Sequence, residues 1–201
     1  MSIGDAEIKT QERVIRFFKD PEILGYQYIG NLSDYQNKNI KEDRLRQYLR
    51  LKGYADKLID AAVMQLQQEA GNLSRGVYDA NKTVYSRLKY GIPVSESPEK
   101  SPVTVQLIDE ENPLNNDFAI AEEVTVVEQQ EKRPDLVIYL NGIAVAVIEL
   151  KRSSISVSEG IRQNLTNQKD SFIRGFFTTM QFCMAGNESE GLRYGTLLTG
   201  E

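Results

Sequence analysis

The chain is predicted to fold as an α/β domain, a mixed β-sheet flanked by helices with an extra helical layer inserted before the main strands. Three observations predict it. Apolar residues recur at helical spacing over 5–19, 41–90 and 157–173. Short apolar runs of strand character fill 103–150 instead, so helices bracket a sheet. Within those runs, LVIYL at 136–140 and AVAVIEL at 144–150 flank Asn141-Gly142, a dipeptide whose tolerance of positive φ makes it a strong hairpin signal.

The elements follow in order. Ile8, Val14, Ile15 and Phe18 form one apolar face of a helix over 5–19, which Asp20-Pro21 ends. A short strand is expected at 24–29. Helices over 41–52 and 55–70 pivot on Gly53-Tyr54, and a third covers 78–90, stopped by Gly91-Ile92-Pro93. Together they form the inserted layer, about 38–92, within one domain spanning 1–201. After a polar Ser/Pro loop, strands are expected at 103–108, 118–128, 136–140 and 144–150. A helix over 157–173, a Phe-rich segment to Met184, a turn at 185–187 and a last strand near 193–199 complete the chain. Tyr26, Tyr28, Phe172, Phe176, Phe177 and Phe182 read as core.

Composition excludes several chemistries. Among 201 residues there is no histidine and one cysteine, Cys183. That removes Ser-His-Asp and Cys-His catalysis, His-containing zinc sites and an internal disulfide, and it fits a reducing cytoplasm. Any metal must then be held mainly by oxygen, which suits Mg²⁺, Mn²⁺ or Ca²⁺. No apolar run reaches membrane-spanning length, and the first residues lack a signal-peptide core. No phosphate-gripping G-x-x-x-x-G-K-[ST] loop occurs; Gly71 to Gly76 lacks its lysine and hydroxyl. The net charge of −5 argues mildly against a general nucleic-acid binder. Charge is uneven, however: Lys38 to Lys57 is basic, and Arg44, Arg46 and Arg50 are the first candidates for contact with a DNA backbone. A solvated helix face is the plain alternative.

The hairpin carries the chemistry. Its apolar strands end in charge, at Asp135 on one side and at Glu149 and Lys151 on the other. Charges at the end of a buried strand are costly to desolvate unless they are paired or bind metal. Glu7-Ile8-Lys9 repeats the Glu-x-Lys spacing, but in a helix positions i and i+2 point apart.

Pro134-Asp135 with Glu149-Leu150-Lys151 resembles the PD-(D/E)XK nuclease signature. Added blocks make the likeness more specific: Asn115-Asn116-Asp117-Phe118, Arg133-Pro134-Asp135, Asn141-Gly142, Ile148 to Lys151, Gln163 and Arg193-Tyr194-Gly195-Thr196. From about Gln11 to Thr199 the chain resembles the N-terminal endonuclease domain of the R (restriction) subunit of type I restriction-modification enzymes.

The resemblance implies a restriction-endonuclease-like fold and Mg²⁺- or Mn²⁺-dependent cleavage of double-stranded DNA. Asp135, Glu149 and the Leu150 backbone carbonyl would be the metal ligands, with Lys151 completing the catalytic set. Gln163, in the following helix, would support the site and contact DNA. The family often has tyrosine four residues later; here that position is Asn167. Glu12 resembles the helical glutamate that approaches the metal in related nucleases, with Glu7 competing. The implied parent is longer, with an ATP-driven translocase beyond Glu201 and methylation (M) and specificity (S) subunits as partners; ATP would be bound there and not by this chain. The alternative is a non-catalytic, nuclease-like module that docks the motor or methylase, against which the intact Asp135, Glu149 and Lys151 speak.

The site reading makes one geometric demand. A strict two-residue turn would pair Leu140 with Ile143 and Asp135 with Ile148, leaving Asp135 facing away from Glu149. A three-residue turn with a glycine bulge, a bulge along the strand, or an Asp135 outside regular pairing is required.

Overall fold

A computed structural model of the chain describes residues 3–97 and 99–197, and for residues 3–7 the main chain alone. The Asn141-Gly142 turn forms as its composition dictates, both residues having positive φ, 52° and 82°. In chain order the elements are α1 (Ile3–Lys19), β1 (Gln27–Asn31), α2 (Glu42–Leu51), α3 (Asp56–Gly71), α4 (Val77–Tyr90), β2 (Ile92–Val94) and β3 (Val103–Val105). They continue with β4 (Phe118–Glu122), β5 (Val126–Val127), β6 (Glu131–Lys132), β7 (Leu136–Leu140), β8 (Ile143–Leu150), α5 (Val157–Asn167), β9 (Phe182–Asn187) and β10 (Gly191–Gly195). The main sheet of the described residues runs β1-β4-β7-β8-β9-β10. It is mixed: β1 is parallel to β4 and β8 to β9, and the other pairs are antiparallel.

Alternation of side chains gives the central strands two apolar faces. On one face Ile120, Leu136, Ile138, Ile148 and Leu150 pack against Ile15 of α1. On the other, Val137, Tyr139 and Val147 meet Ile173, Phe176, Phe177 and Met180, from the segment after α5. Helices α2 to α4 have a core of their own, in which Leu45, Leu49, Ile59, Leu66 and Val84 enclose Ile92, Val105, Leu107 and Ile143.

The helical layer is fastened at the hairpin turn. Asn141 is fully buried; its amide donates to the Leu107 carbonyl and the Asn116 Oδ1, both at 2.8 Å, and its Oδ1 accepts the Asp117 N–H at 2.7 Å. The Lys41 N–H donates to the Gly142 carbonyl at 2.7 Å. A Cβ on Gly142 would lie 2.6 Å from the Lys41 carbonyl and 2.8 Å from the Leu45 nitrogen. Glycine is therefore required both by φ and by the close approach of α2.

Several expected elements come out differently. The strand expected at 118–128 breaks at Glu123, whose φ is +50°. The Glu123 N–H still makes the next ladder bond, to the Asp135 carbonyl, but the Val124 N–H is then turned to the carbonyl of Pro134. The run at 103–108 gives only β3, which pairs with β2 outside the main sheet. The first strand starts at Gln27 instead of Leu24, because Asp20 collects the N–H groups of Ile23, Leu24 and Gly25 in a turn. The helix expected to 173 stops at Asn167, and Arg174–Thr179 winds as a 3₁₀ segment. The Phe-rich stretch and the turn at 185–187 contain a full strand, β9, laid parallel to β8. The last strand is displaced to Gly191–Gly195; positions 198 and 199 lie outside the described residues. Phe182, read as core, is 49% exposed.

Gly142→Ala should destabilise the chain by at least about 2 kcal/mol, since it combines a left-handed φ with a main-chain clash. Urea unfolding checks it; a shift below about 0.5 kcal/mol would contradict the clamp.

Candidate active site

The strict turn and the site's demand are both met, because the strand between them carries a bulge. Leu140 pairs with Ile143 and Tyr139 with Ala144, but Ile138 pairs with Ala146, so Val145 is an extra residue in β8. Its neighbours hold it there. The Val145 carbonyl accepts the Gln181 N–H at 2.7 Å, the Ala144 carbonyl accepts the Thr179 hydroxyl at 2.6 Å, and the Ala144 N–H donates to the Asn39 carbonyl at 2.8 Å. From the bulge onward the register is shifted by one. Val137 faces Val147 and Leu136 faces Ile148, which brings Asp135, one residue further, opposite Glu149. Directly opposed residues share a face, so the two carboxylates converge.

Asp135 is fixed by its own chemistry. In a continued ladder the Leu150 N–H would donate to the carbonyl of residue 134. That carbonyl is turned instead to the Val124 N–H at 3.0 Å. The Asp135 carboxylate takes its place and accepts the Leu150 N–H at 2.6 Å through Oδ2. The N–H and C=O of a strand residue point to the same side, so the Leu150 carbonyl also faces this edge. Pro134, opposite it, has no N–H to offer.

Glu149 is fully buried, and no donor reaches either of its oxygens. Burial pushes its pKa well above the usual carboxylate range, and the negative charge of Asp135 pushes the same way, against a smaller opposing pull from Lys151. Helix α5 closes the site directly from above: a Cβ on Gly160 would stand 2.9 Å from the Ala185 Cβ and 3.5 Å from the Glu149 Cβ. A buried carboxylate with no donor, a second one opposite it and a main-chain carbonyl on the same edge make a hard oxygen set that fits a divalent cation.

The other expected residues are distributed unevenly. Lys151 follows Glu149 at the strand end, its N–H donating to the Gly186 carbonyl at 2.9 Å, and its charge is felt by Glu149. Gln163 is half-buried on α5, one turn after Gly160, on the stripe that faces the sheet. Asn167 is buried on that stripe. Glu12 is exposed; the phase of α1 turns its neighbour Gln11 toward the sheet end, where its amide donates to Glu122 at 2.9 Å and Glu123 at 3.3 Å. The arginines expected to meet DNA are engaged elsewhere. Arg44 pairs with Asp117 at 2.6 Å and donates to Gln27, Arg46 pairs with Glu42 and Asp60, and Arg50 pairs with Asp56 at 2.9 Å. Acidic residues scattered through the sequence neutralise this stretch, and they stand at the turn end of the hairpin, away from Glu149. Sequence reading missed Glu123 and Gln11; the two consecutive glutamates inside an apolar strand were the available signal.

A mixed sheet with paired acids and a lysine at one strand end, flanked by helices on both faces, defines a restriction-endonuclease-like domain. Residues 7–201 match the family described as "Type I restriction enzyme R protein N terminus (HSDR_N)", and the chain belongs to that family. Among its relatives, the MjaIXP type I restriction enzyme endonuclease subunit of Methanocaldococcus jannaschii is 34% identical over 97 residues, 44% of this chain and 9% of the relative. The SsaAORF53P subunit of Staphylococcus saprophyticus is 26% identical over 113 residues, 56% of this chain and 12% of the relative. The matched stretches thus span about a tenth of these relatives' length. Among the described residues no helix is long and apolar enough to cross a membrane.

The burial of Glu149 sets a pH dependence. Its folded pKa lies above the unfolded value of about 4.3, so the stability it contributes is complete below that value and is lost as pH rises through the folded pKa. In EDTA, Glu149→Gln should therefore gain on wild type steadily from about pH 5 to pH 8, because the amide has no proton to lose. Thermal melts across that range check it, and a wild-type-to-variant difference that is flat with pH would contradict the assignment.

Proposed function

We propose that this chain is the Mg²⁺-dependent nuclease domain of a type I restriction enzyme R subunit and cleaves double-stranded DNA. The observation that carries the reading is the bulge at Val145, which sets Asp135 opposite a buried, donor-free Glu149. Asp135, Glu149 and the Leu150 carbonyl would hold the ion, Mg²⁺ or Mn²⁺. A divalent cation there supplies Lewis-acid polarisation of a phosphoryl oxygen and neutralises charge. The Leu150 N–H keeps Asp135 Oδ2 in place and α5 keeps solvent from Glu149, so both acids are held ready in one orientation. Lys151 orients the attacking water and stabilises the charge that develops on the phosphoryl oxygens. The water oxygen bonds to phosphorus in line with the departing 3′ oxygen, which takes a proton, leaving a 5′ phosphate and a 3′ hydroxyl. Gln163 would steady the site from α5.

Sequence choice would belong to a specificity subunit, and a methylation subunit would complete the cytoplasmic assembly. ATP would act in a translocase part of the longer parent and not in this chain. The pairing of Arg44, Arg46 and Arg50 supports a domain with little affinity of its own for duplex, to which DNA is delivered.

In the complete R subunit assembled with its partners, Lys151→Ala should lower DNA cleavage at least about a hundredfold while ATP hydrolysis continues. Plasmid-nicking and ATPase assays on the same preparation check it. Equal loss of both activities would mean that the lysine serves the fold, and unchanged cleavage would remove it from the chemistry.

A further inference from the structure

Glu123 is held in a conformation that its side chain does not favour. Its φ of +50° lies in the left-handed region, where glycine or asparagine is the usual occupant. The main chain there is in demand: its N–H donates to the Asp135 carbonyl at 2.8 Å, and the next N–H, of Val124, donates to the Pro134 carbonyl at 3.0 Å. Glycine would supply both bonds without strain. The carboxylate adds an electrostatic burden, since it shares the Gln11 amide with Glu122 and belongs to a residue that lies directly across the sheet from Asp135. Its ion pair with Arg133, at 2.7 Å, involves a guanidinium that is more than half exposed, and such pairs contribute little. A strained backbone and like-charged neighbours, set against one weak ion pair, are the signature of a side chain kept for something other than stability.

Among the described residues no three acidic side chains stand close enough to hold an ion together. Glu123 therefore acts at one remove. We propose that Glu123 is a positioning residue of the Asp135–Glu149 site: its kinked main chain turns the Pro134 carbonyl to Val124 and so leaves the Leu150 N–H to the Asp135 carboxylate, and its own carboxylate provides negative charge that strengthens divalent-cation binding there. This rests on the cation reading above and adds a residue that the nuclease signature does not contain.

The test is a Mn²⁺ titration of the 1–201 chain, followed by thermal shift and by electron paramagnetic resonance of free Mn²⁺. The variants are Glu123→Gly, which keeps the kink and relieves it, and Glu123→Gln, which keeps shape and strain but not charge. In EDTA, Glu123→Gly should melt at or above the wild-type temperature, while both variants should bind Mn²⁺ about three- to tenfold more weakly. If both bind Mn²⁺ as wild type does, the role of Glu123 is overturned and the cation site stands. If Glu123→Gly melts well below wild type while Glu123→Gln retains full affinity, Glu123 is structural. If wild type itself shows no Mn²⁺ response, the cation reading falls, and this inference with it.

Discussion

One extra residue in one strand decides what this domain can do. The Asn141-Gly142 turn fixes a register in which Asp135 would face away from Glu149, and Val145 moves that register by one. A shift of one residue exchanges the two faces of a strand, so nothing less could bring the acids together. The bulge survives because its unpaired groups have partners: Gln181 and Thr179 on one side, Asn39 on the other. Those partners come from the end of the 3₁₀ segment, from Gln181 just before β9, and from the loop before α2. The chemical end of the hairpin is thus specified by segments that pack beside its middle.

The two ends of the hairpin have opposite characters. At the turn the polar side chains are matched: the Asn141 amide is bonded through both its oxygen and its nitrogen, and Arg44 and Asp117 form a bidentate pair beside it. This end joins the helical layer to the sheet and is built for stability. At the other end the main chain is irregular, Glu149 is buried without a donor, and Glu123 sits at a left-handed φ. Polar groups left unmatched in a buried site are unfavourable until a ligand meets them. The polarity of the molecule, settled at the turn and poised at the strand ends, follows from that contrast.

Much of this was legible from residues alone. The helices between 41 and 90 and the hairpin followed from periodicity and from Asn-Gly, and the need for a bulge followed from counting residues between Asp135 and Glu149. Which of three devices would supply it did not, because the choice depends on Gln181 and Asn39, distant in sequence. The kink at Glu123 was hidden for a similar reason: the strand pattern of FAIAEEVTVV continues through it, and the Pro134 carbonyl, distant in sequence, overrides that pattern by taking the Val124 N–H. β9 was missed because a parallel partner of a buried strand need not alternate, and FCMAGN does not. The arginines of α2 read as a basic patch since Asp117, Asp60 and Asp56 reach them only in three dimensions.

The central claim is that Asp135, Glu149 and the Leu150 carbonyl form one cation site. Anomalous diffraction from a crystal of the chain soaked in Mn²⁺ tests it most directly. The account predicts a single strong peak between the two carboxylates, with ligand distances of about 2.1 Å to both and to the Leu150 carbonyl. A map with Asp135 and Glu149 on opposite faces of the sheet, or with manganese bound only elsewhere, would contradict it.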